Sequence, residues 1–185
     1  MRTPFLLGIA LITFLMSNSL ITSKYNQYKT LKTTIQVSDA DWENLNLMIE
    51  RSPIGNVKEN FELFVKKNVL QTTAINCKNG KYFGITPADD FGYFHVVFLE
   101  IHQGKIINIH YDELKPNGKN KRTDLGYNTE MLKTGTSPSI AYPIYENELI
   151  RNQDYMNIDA VTGATFSLYR FRMAVAKAFK KAIVN

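Results

Sequence analysis

Residues 93–112 read YFHVVFLEIHQGKIINIHYD, and the reading of this stretch decides the fold. Tyr93–His102 and Ile106–Asp112 are dense in β-branched and aromatic residues, and Gln103-Gly104 between them is a turn signal. The stretch therefore reads as a β-hairpin. With a two-residue loop, His102 faces Lys105, Val97 faces His110 and His95 faces Asp112. One face then carries Phe94, Val96, Phe98, Ile107, Ile109 and Tyr111 and is expected to meet the core. The other carries His95, Asn108, His110 and Asp112 among Val97, Leu99 and Ile101. Two histidines and an aspartate on one face raise the question of a metal. Half-exposed sheet faces collect such residues without ligand geometry, so no metal site is expected.

Working outward, Asn79-Gly80 is a turn and Lys81–Ile85 a short strand, followed by the turn Asp89-Asp90-Phe91-Gly92. Residues 114–124 (LKPNGKNKRTD) form a charged loop, most simply a solvated turn; its four basic residues offer a guide for an anionic partner instead. Tyr127–Leu132 suits a short helix, Gly135–Pro138 a loop, and 139–152 a helix bent or begun at Pro143. Ser167–Val184 is the clearest helix, with Leu168, Phe171, Val175, Ala178, Phe179 and Ala182 as its buried stripe and Arg170, Lys177, Lys180 and Lys181 on the rest. Upstream, Ser38 and Asp41 have the spacing of a capping box ahead of a helix over 39–50. After a breaker at 52–56, Val57, Phe61, Phe64 and Val65 recur at helical spacing. The expected class is α+β: an antiparallel sheet packed with helices. Residues 24–76 form a helical extension in which no chemistry is legible.

The chain has 185 residues and a formal net charge of +5, one domain plus an appendage. So weak a charge gives no reason to expect nucleic acid. A single cysteine, Cys77, excludes an intramolecular disulfide and any multi-cysteine zinc or iron–sulfur site. The appendage is N-terminal. Met1-Arg2-Thr3 precedes an apolar run from Phe5 to Met16, and no charge appears between Arg2 and Lys24. Residues 1–23 read as a hydrophobic helix serving as signal peptide or membrane anchor, with Ser17-Asn18-Ser19 as a cleavage site in the first case. Either reading places residue 24 onward outside the cytoplasm. No cysteine follows the run, which excludes a bacterial lipoprotein anchor.

The stretch with chemistry is Asp159–Ser167 (DAVTGATFS). It is a turn of small and hydroxyl residues opening into the final helix. Unpaired N–H groups and the positive end of the dipole suit a phosphate there. Thr162, Thr165 and Ser167 can hydrogen-bond a phosphate or be esterified by one, and Gly163 and Ala164 admit a ligand to the backbone. The competing reading is ordinary N-capping.

Asp-x-x-Thr-Gly-Ala-Thr-x-Ser resembles the flavinylation motif of FMN-binding domains. These occur in the sodium-pumping NADH:quinone oxidoreductase, in the Rnf complex and in flavoproteins of extracellular electron transfer. Asn79-Gly80-Lys81-Tyr82-Phe83-Gly84, Gln103-Gly104-Lys105-Ile106, Tyr111-Asp112-Glu113, Gly126–Met131 and Gly135–Pro138 resemble further motifs in the same order. The resemblance runs over roughly residues 79–183, with Asn79 standing where the family has Asp. It implies an FMN-binding-domain-like fold over 77–185 and FMN joined through its phosphate to Thr165. A dedicated FAD:protein FMN transferase would make the bond, with Asp159, Thr162, Gly163 and Ala164 as its recognition motif and Ser167 beside them. Tyr127, Met131 and Thr136 are the candidates for ring or phosphate contacts; Tyr127 and Met131 have the rival reading of core residues.

The role implied is an extracytoplasmic electron carrier between a membrane donor and an outer acceptor, held to the membrane by its N-terminus. It is more a carrier than a stand-alone enzyme, and no catalytic constellation is seen. The alternatives are a flavin-dependent reductase of a small acceptor and a non-redox surface-binding protein of the same fold.

Overall fold

The three central strands decide where everything else lies. The computed structural model describes residues 37–183, so the expected N-terminal hydrophobic helix lies outside the described residues. Within them the order is α1 (Asp39–Arg51), α2 (Ile54–Lys67), β1 (Gly80–Ala88), β2 (Phe94–His102), β3 (Lys105–Leu114), α3 (Leu125–Leu132), α4 (Pro138–Asn152) and α5 (Thr165–Ala182). The strands form one antiparallel sheet in the order β1-β2-β3, and α5 packs across β1 and β2. The class is α+β, as the patterning predicts.

The hairpin register differs from expectation. His102 does pair with Lys105, across a turn with Gln103 at φ 49. A β-bulge then shifts the ladder, so that Leu99 meets Ile109, Val97 meets Tyr111 and His95 meets Glu113. One extra residue in β3, Ile107, absorbs the shift. The consequence is an exchange of faces along β2. His95, Val97, Leu99 and Ile101 turn inward with Ile106, Ile109, Tyr111 and Glu113. Phe98 and Ile107, expected inside, are 52% and 53% exposed. Phe98 pairs with Phe83 on the outer face, ring centroids 4.8 Å apart. Because β2 is apolar on both faces, its composition could not reveal the bulge. The same exchange parts His95 from His110, which lies on the exposed side, so the three-residue grouping of His95, His110 and Asp112 does not assemble.

α1 opens on the expected capping box between Ser38 and Asp41. Trp42, Leu45 and Ile49 from α1 and Val57, Phe61 and Val65 from α2 join the same buried cluster as the sheet and α5. The backbones of β1 and α5 approach closely at Gly84: a Cβ there would lie 1.9 Å from the Ala174 carbonyl oxygen. α4 starts at Pro138 and runs through Pro143, rather than beginning there. It lies along the outer edge of β3. Side chains from α4, from its C-terminal cap and from the loop after β3 pair with the strand backbone. Glu146 accepts from the Tyr111 N–H at 2.6 Å, and Arg122 donates to the Tyr111 carbonyl at 2.9 Å. The Gln153 side chain pairs with both the N–H and the C=O of Ile106. Edge groups that would otherwise be unpaired are thereby satisfied.

Candidate functional site

The Asp159–Ser167 stretch forms the entry to α5. Gly163 takes φ 84, and Ala164 N–H closes the turn onto the Val161 carbonyl at 2.9 Å. Tyr145 of α4 holds this turn from behind: its hydroxyl donates to the Ala164 carbonyl at 3.0 Å and accepts from the Val161 N–H at 3.3 Å. Arg172 fixes the approach by donating to the carbonyls of Met156 and Ile158 at 3.0 and 2.7 Å. The loop at 134–136 backs the glycine. A Cβ at Gly163 would lie 3.4 Å from both the Thr134 carbonyl oxygen and the Thr136 methyl.

The N-cap of α5 is Ala164, and no side chain caps it. The amides of Thr165, Phe166 and Ser167 thus precede the first helical hydrogen bond, from Leu168 N–H to the Ala164 carbonyl. Ordinary side-chain capping is not how this helix begins. Thr165 sits half-buried at its first position.

Beside this helix entry lies a cleft of about 290 Å³, near the lower size of small-molecule sites. Gly163, Phe166, Ser167 and Arg170 of the α5 segment form one wall, and Tyr127 and Met131 of α3 another. Neither Tyr127 nor Met131 belongs to the buried core. Asp89, Asp90 and Phe91 come from the β1–β2 turn. Of the residues singled out in the sequence, Gly163, Ser167, Tyr127 and Met131 line the cleft. Thr136 stands behind Gly163, with a buried hydroxyl that has no hydrogen-bond partner. Ala164 and Thr165 are not among the lining residues; they stand in the chain between Gly163 and Phe166, which are. Asp159 and Thr162 are exposed and are not among the lining residues; the Asp159 N–H donates to Glu148 at 2.8 Å.

The floor is a buried charge cluster that the sequence did not announce. Glu113 of β3 accepts from the Ser167 hydroxyl at 2.8 Å and from the Tyr142 hydroxyl, and forms an ion pair with the Lys121 ammonium. His95 Nδ1 lies 2.7 Å from the Tyr111 hydroxyl and 3.4 Å from Glu113. His95 Nε2 faces Asp89 at 3.6 Å. Asn46 and Glu50 of α1 hold the Arg170 guanidinium, at 3.3 and 2.5 Å. The helical extension therefore does contribute to the site. Two of the four basic residues of the 114–124 loop also point inward: Lys121 to Glu113, and Arg122 to Glu146 through two bonds of 2.6 and 3.0 Å. The loop is not simply solvated.

Burial would raise the Glu113 carboxyl, but the neighbouring His95 and Lys121 and the hydrogen bonds it accepts bring it below its ordinary value. Asp89 is raised by burial and lowered more by His95 and by the Tyr93 N–H, to about 2. Burial pushes His95 below its ordinary value against the attraction of Glu113. All three shifts have the same sign for stability. The unfolded chain binds protons on these groups at a higher pH than the folded chain, so folding weakens as pH falls. The His95 contribution is fully present above 6.5 and is lost as pH drops below it; that of Asp89 is lost between 3.8 and about 2. Denaturant melts from pH 7.5 to 5 should show falling stability, and His95→Gln should flatten that limb.

Asp89, His95 and Glu113 also bring one ligand-type atom each within 4.8 Å of one another. The Lys121 ammonium occupies the cation position against both carboxylates, in contact with Glu113 and 3.9 Å from Asp89. Lys121→Met would leave Glu113 buried without its cation. We expect a loss of about 3 kcal/mol in urea unfolding at pH 7, shrinking at low pH where Glu113 takes up a proton.

Cys77 is buried and free. Among the described residues no helix is long and apolar enough to cross a membrane. No family model and no curated protein matches the chain. Among solved structures, the CPE2226 protein from Clostridium perfringens is 35% identical, with a TM-score of 0.54, over 57% of this chain and 88% of its own. A protein from Clostridium thermocellum is 22% identical, with a TM-score of 0.38, over 56% of this chain and 91% of its own.

Proposed function

For a chain that belongs to the same family as the Clostridium perfringens protein, we propose the role of an extracytoplasmic electron-transfer flavoprotein with FMN covalently attached at Thr165. The observation that carries this reading is the entry of α5. A hydroxyl sits at the first position of a helix whose leading amides have no side-chain cap, beside a cleft walled by Tyr127 and Met131. Such an entry suits a phosphate ester, because backbone amides and the helix dipole both favour negative charge. Gly163 gives the turn its shape through a φ of 84 that glycine adopts freely, and the unpartnered Thr136 hydroxyl stands behind it.

FMN bound there supplies reversible electron uptake, and the protein supplies position and charge. Thr165 holds the group. Tyr145 and Arg172 keep the turn in shape, and Tyr127, Met131 and Phe166 offer apolar surface. Lys121 and Arg170 place positive charge in the cleft wall, each tied to a carboxylate. The partners of this reading are an FAD:protein FMN transferase, a membrane donor and an outer acceptor. The location is outside the cytoplasm, by secretion or by an N-terminal anchor.

The test is co-expression of the full chain with an FAD:protein FMN transferase, followed by acid denaturation and mass spectrometry. The expected species carries the mass of one FMN less one water. Protein of unmodified mass, with all flavin released by acid, overturns the reading.

A further inference from the structure

The β1–β2 turn carries an aromatic side chain that the protein leaves bare. Phe91 is 76% exposed, yet it is one of the residues lining the cleft. A single exposed apolar residue is ordinary; what sets Phe91 apart is how firmly its backbone is held. The Asp89 carboxylate accepts from the Phe91 and Tyr93 N–H groups at 3.0 and 2.8 Å. The Asp89 N–H donates to the Tyr93 carbonyl at 2.9 Å, and the Gly92 N–H closes on the Asp89 carbonyl at 2.8 Å. α1 ties this turn to α5. Glu50 accepts from the Asp90 N–H at 2.9 Å, and the Asn46 amide donates to the Ala88 carbonyl at 3.0 Å. The same two side chains hold Arg170.

What the cleft offers an occupant follows from these pairings. Arg170 is tied to Glu50, and both Lys121 and the Ser167 hydroxyl to Glu113. Apolar and aromatic contact surface is left on Phe91, Tyr127, Met131 and Phe166, drawn from the turn, α3 and α5. Phe166 is itself 37% exposed and follows Thr165 in the chain. A flat unsaturated ring is the chemistry such surfaces recognise, because aromatic faces attract one another in offset or tilted contact. Covering Phe91 takes apolar surface out of water. It needs only rotation of one side chain on a backbone already fixed.

We propose that Phe91 is a ring-covering residue of the cleft, its phenyl group lying against the isoalloxazine of the attached flavin. The proposal rests on the flavin assignment above. A phenyl group neither titrates nor carries charge, so its effect is to position the ring and to keep water from one side of it. The helical extension gains a part in binding by this route: through Glu50 and Asn46, α1 presents Phe91 to the cleft.

The test is NMR of the flavinylated full chain with isotope-labelled phenylalanine rings, its flavin mass verified first. The same chain made without the transferase is the reference, and the signal missing from Phe91→Tyr identifies the residue. In the flavinylated protein the Phe91 ring protons should show cross-relaxation with the isoalloxazine protons. A soluble nitroxide should broaden the Phe91 signal about fivefold less than in the reference, the protection an aromatic contact of ordinary strength gives. Absent cross-relaxation, or equal broadening in the two proteins, overturns this proposal and leaves the flavin reading standing. A chain that acquires no flavin mass overturns both.

Discussion

Thr165→Ala should abolish covalent flavin entirely, leaving unmodified mass after co-expression with the transferase while the fold is retained. Three hydroxyls lie near the helix entry, and the structure separates them. Ser167 already gives its hydroxyl to Glu113 at 2.8 Å. Thr162 sits out on the exposed turn, before the glycine. Thr165 alone combines a half-buried position with the first place in the helix, where the leading amides are free. Its loss should cost little stability, because its side chain makes no cap for α5. Thr165→Ser should recover attachment, since it keeps the hydroxyl. Thr162→Ala should leave the attachment residue intact and lower only the yield. A Thr165→Ala protein that still carries acid-stable flavin would move the bond elsewhere and remove the argument from the helix entry.

The second large effect concerns the fold rather than the cofactor. Gly84→Ala should destabilise the domain by about 3 kcal/mol or more, at the upper end of what overpacking costs. The added Cβ would meet the Ala174 carbonyl at 1.9 Å and the Ala178 amide nitrogen at 3.0 Å. Both are backbone atoms inside α5, so no flexible side chain can yield. Relief requires the helix to move off the sheet, which opens the apolar layer of Val97, Leu99, Phe171 and Val175. Gly55→Ala is the fitting comparison. Gly55 lies in the first turn of α2 with nothing within 4 Å of its added Cβ, and there alanine should stabilise by about 0.5 kcal/mol. Urea titration of both variants separates a steric effect of close approach from a general effect of losing glycine. Similar midpoints for the two would remove the account given for Gly84.

How much of this was legible in the sequence varies by element. The capping box of Ser38, the hairpin turn at Gln103-Gly104 and the apolar stripe of α5 are local signals, and each stands where its residues indicate. The faces of β2 were not legible, because Val96, Val97, Phe98 and Leu99 offer no polar alternation to read. Only the bulge at Ile107, a property of the paired strands, decides which of them turn inward. The cleft divides in the same way. Gly163 and Ser167 were reached from the turn's residues, and Tyr127 and Met131 from the family resemblance. Glu113, Lys121, Asp89 and Arg170 were not, since each reads as an ordinary surface charge until its partner is known. Glu50 lies 120 residues from Arg170, and no window along the chain contains both. The faint signal that was present is Arg170 itself: it follows two buried positions, Leu168 and Tyr169, and precedes a third, Phe171.

The treatment of the β3 edge bears on life at high density. At Ile106 both backbone groups are taken by Gln153, and at Tyr111 both are taken, by Glu146 and Arg122. A neighbouring copy that approached this side would find no consecutive run of donors and acceptors on which to start a fourth strand. Crowded copies can therefore jostle one another without being stitched into a continuous ribbon through this edge, and α4 acts as the selvedge of the sheet.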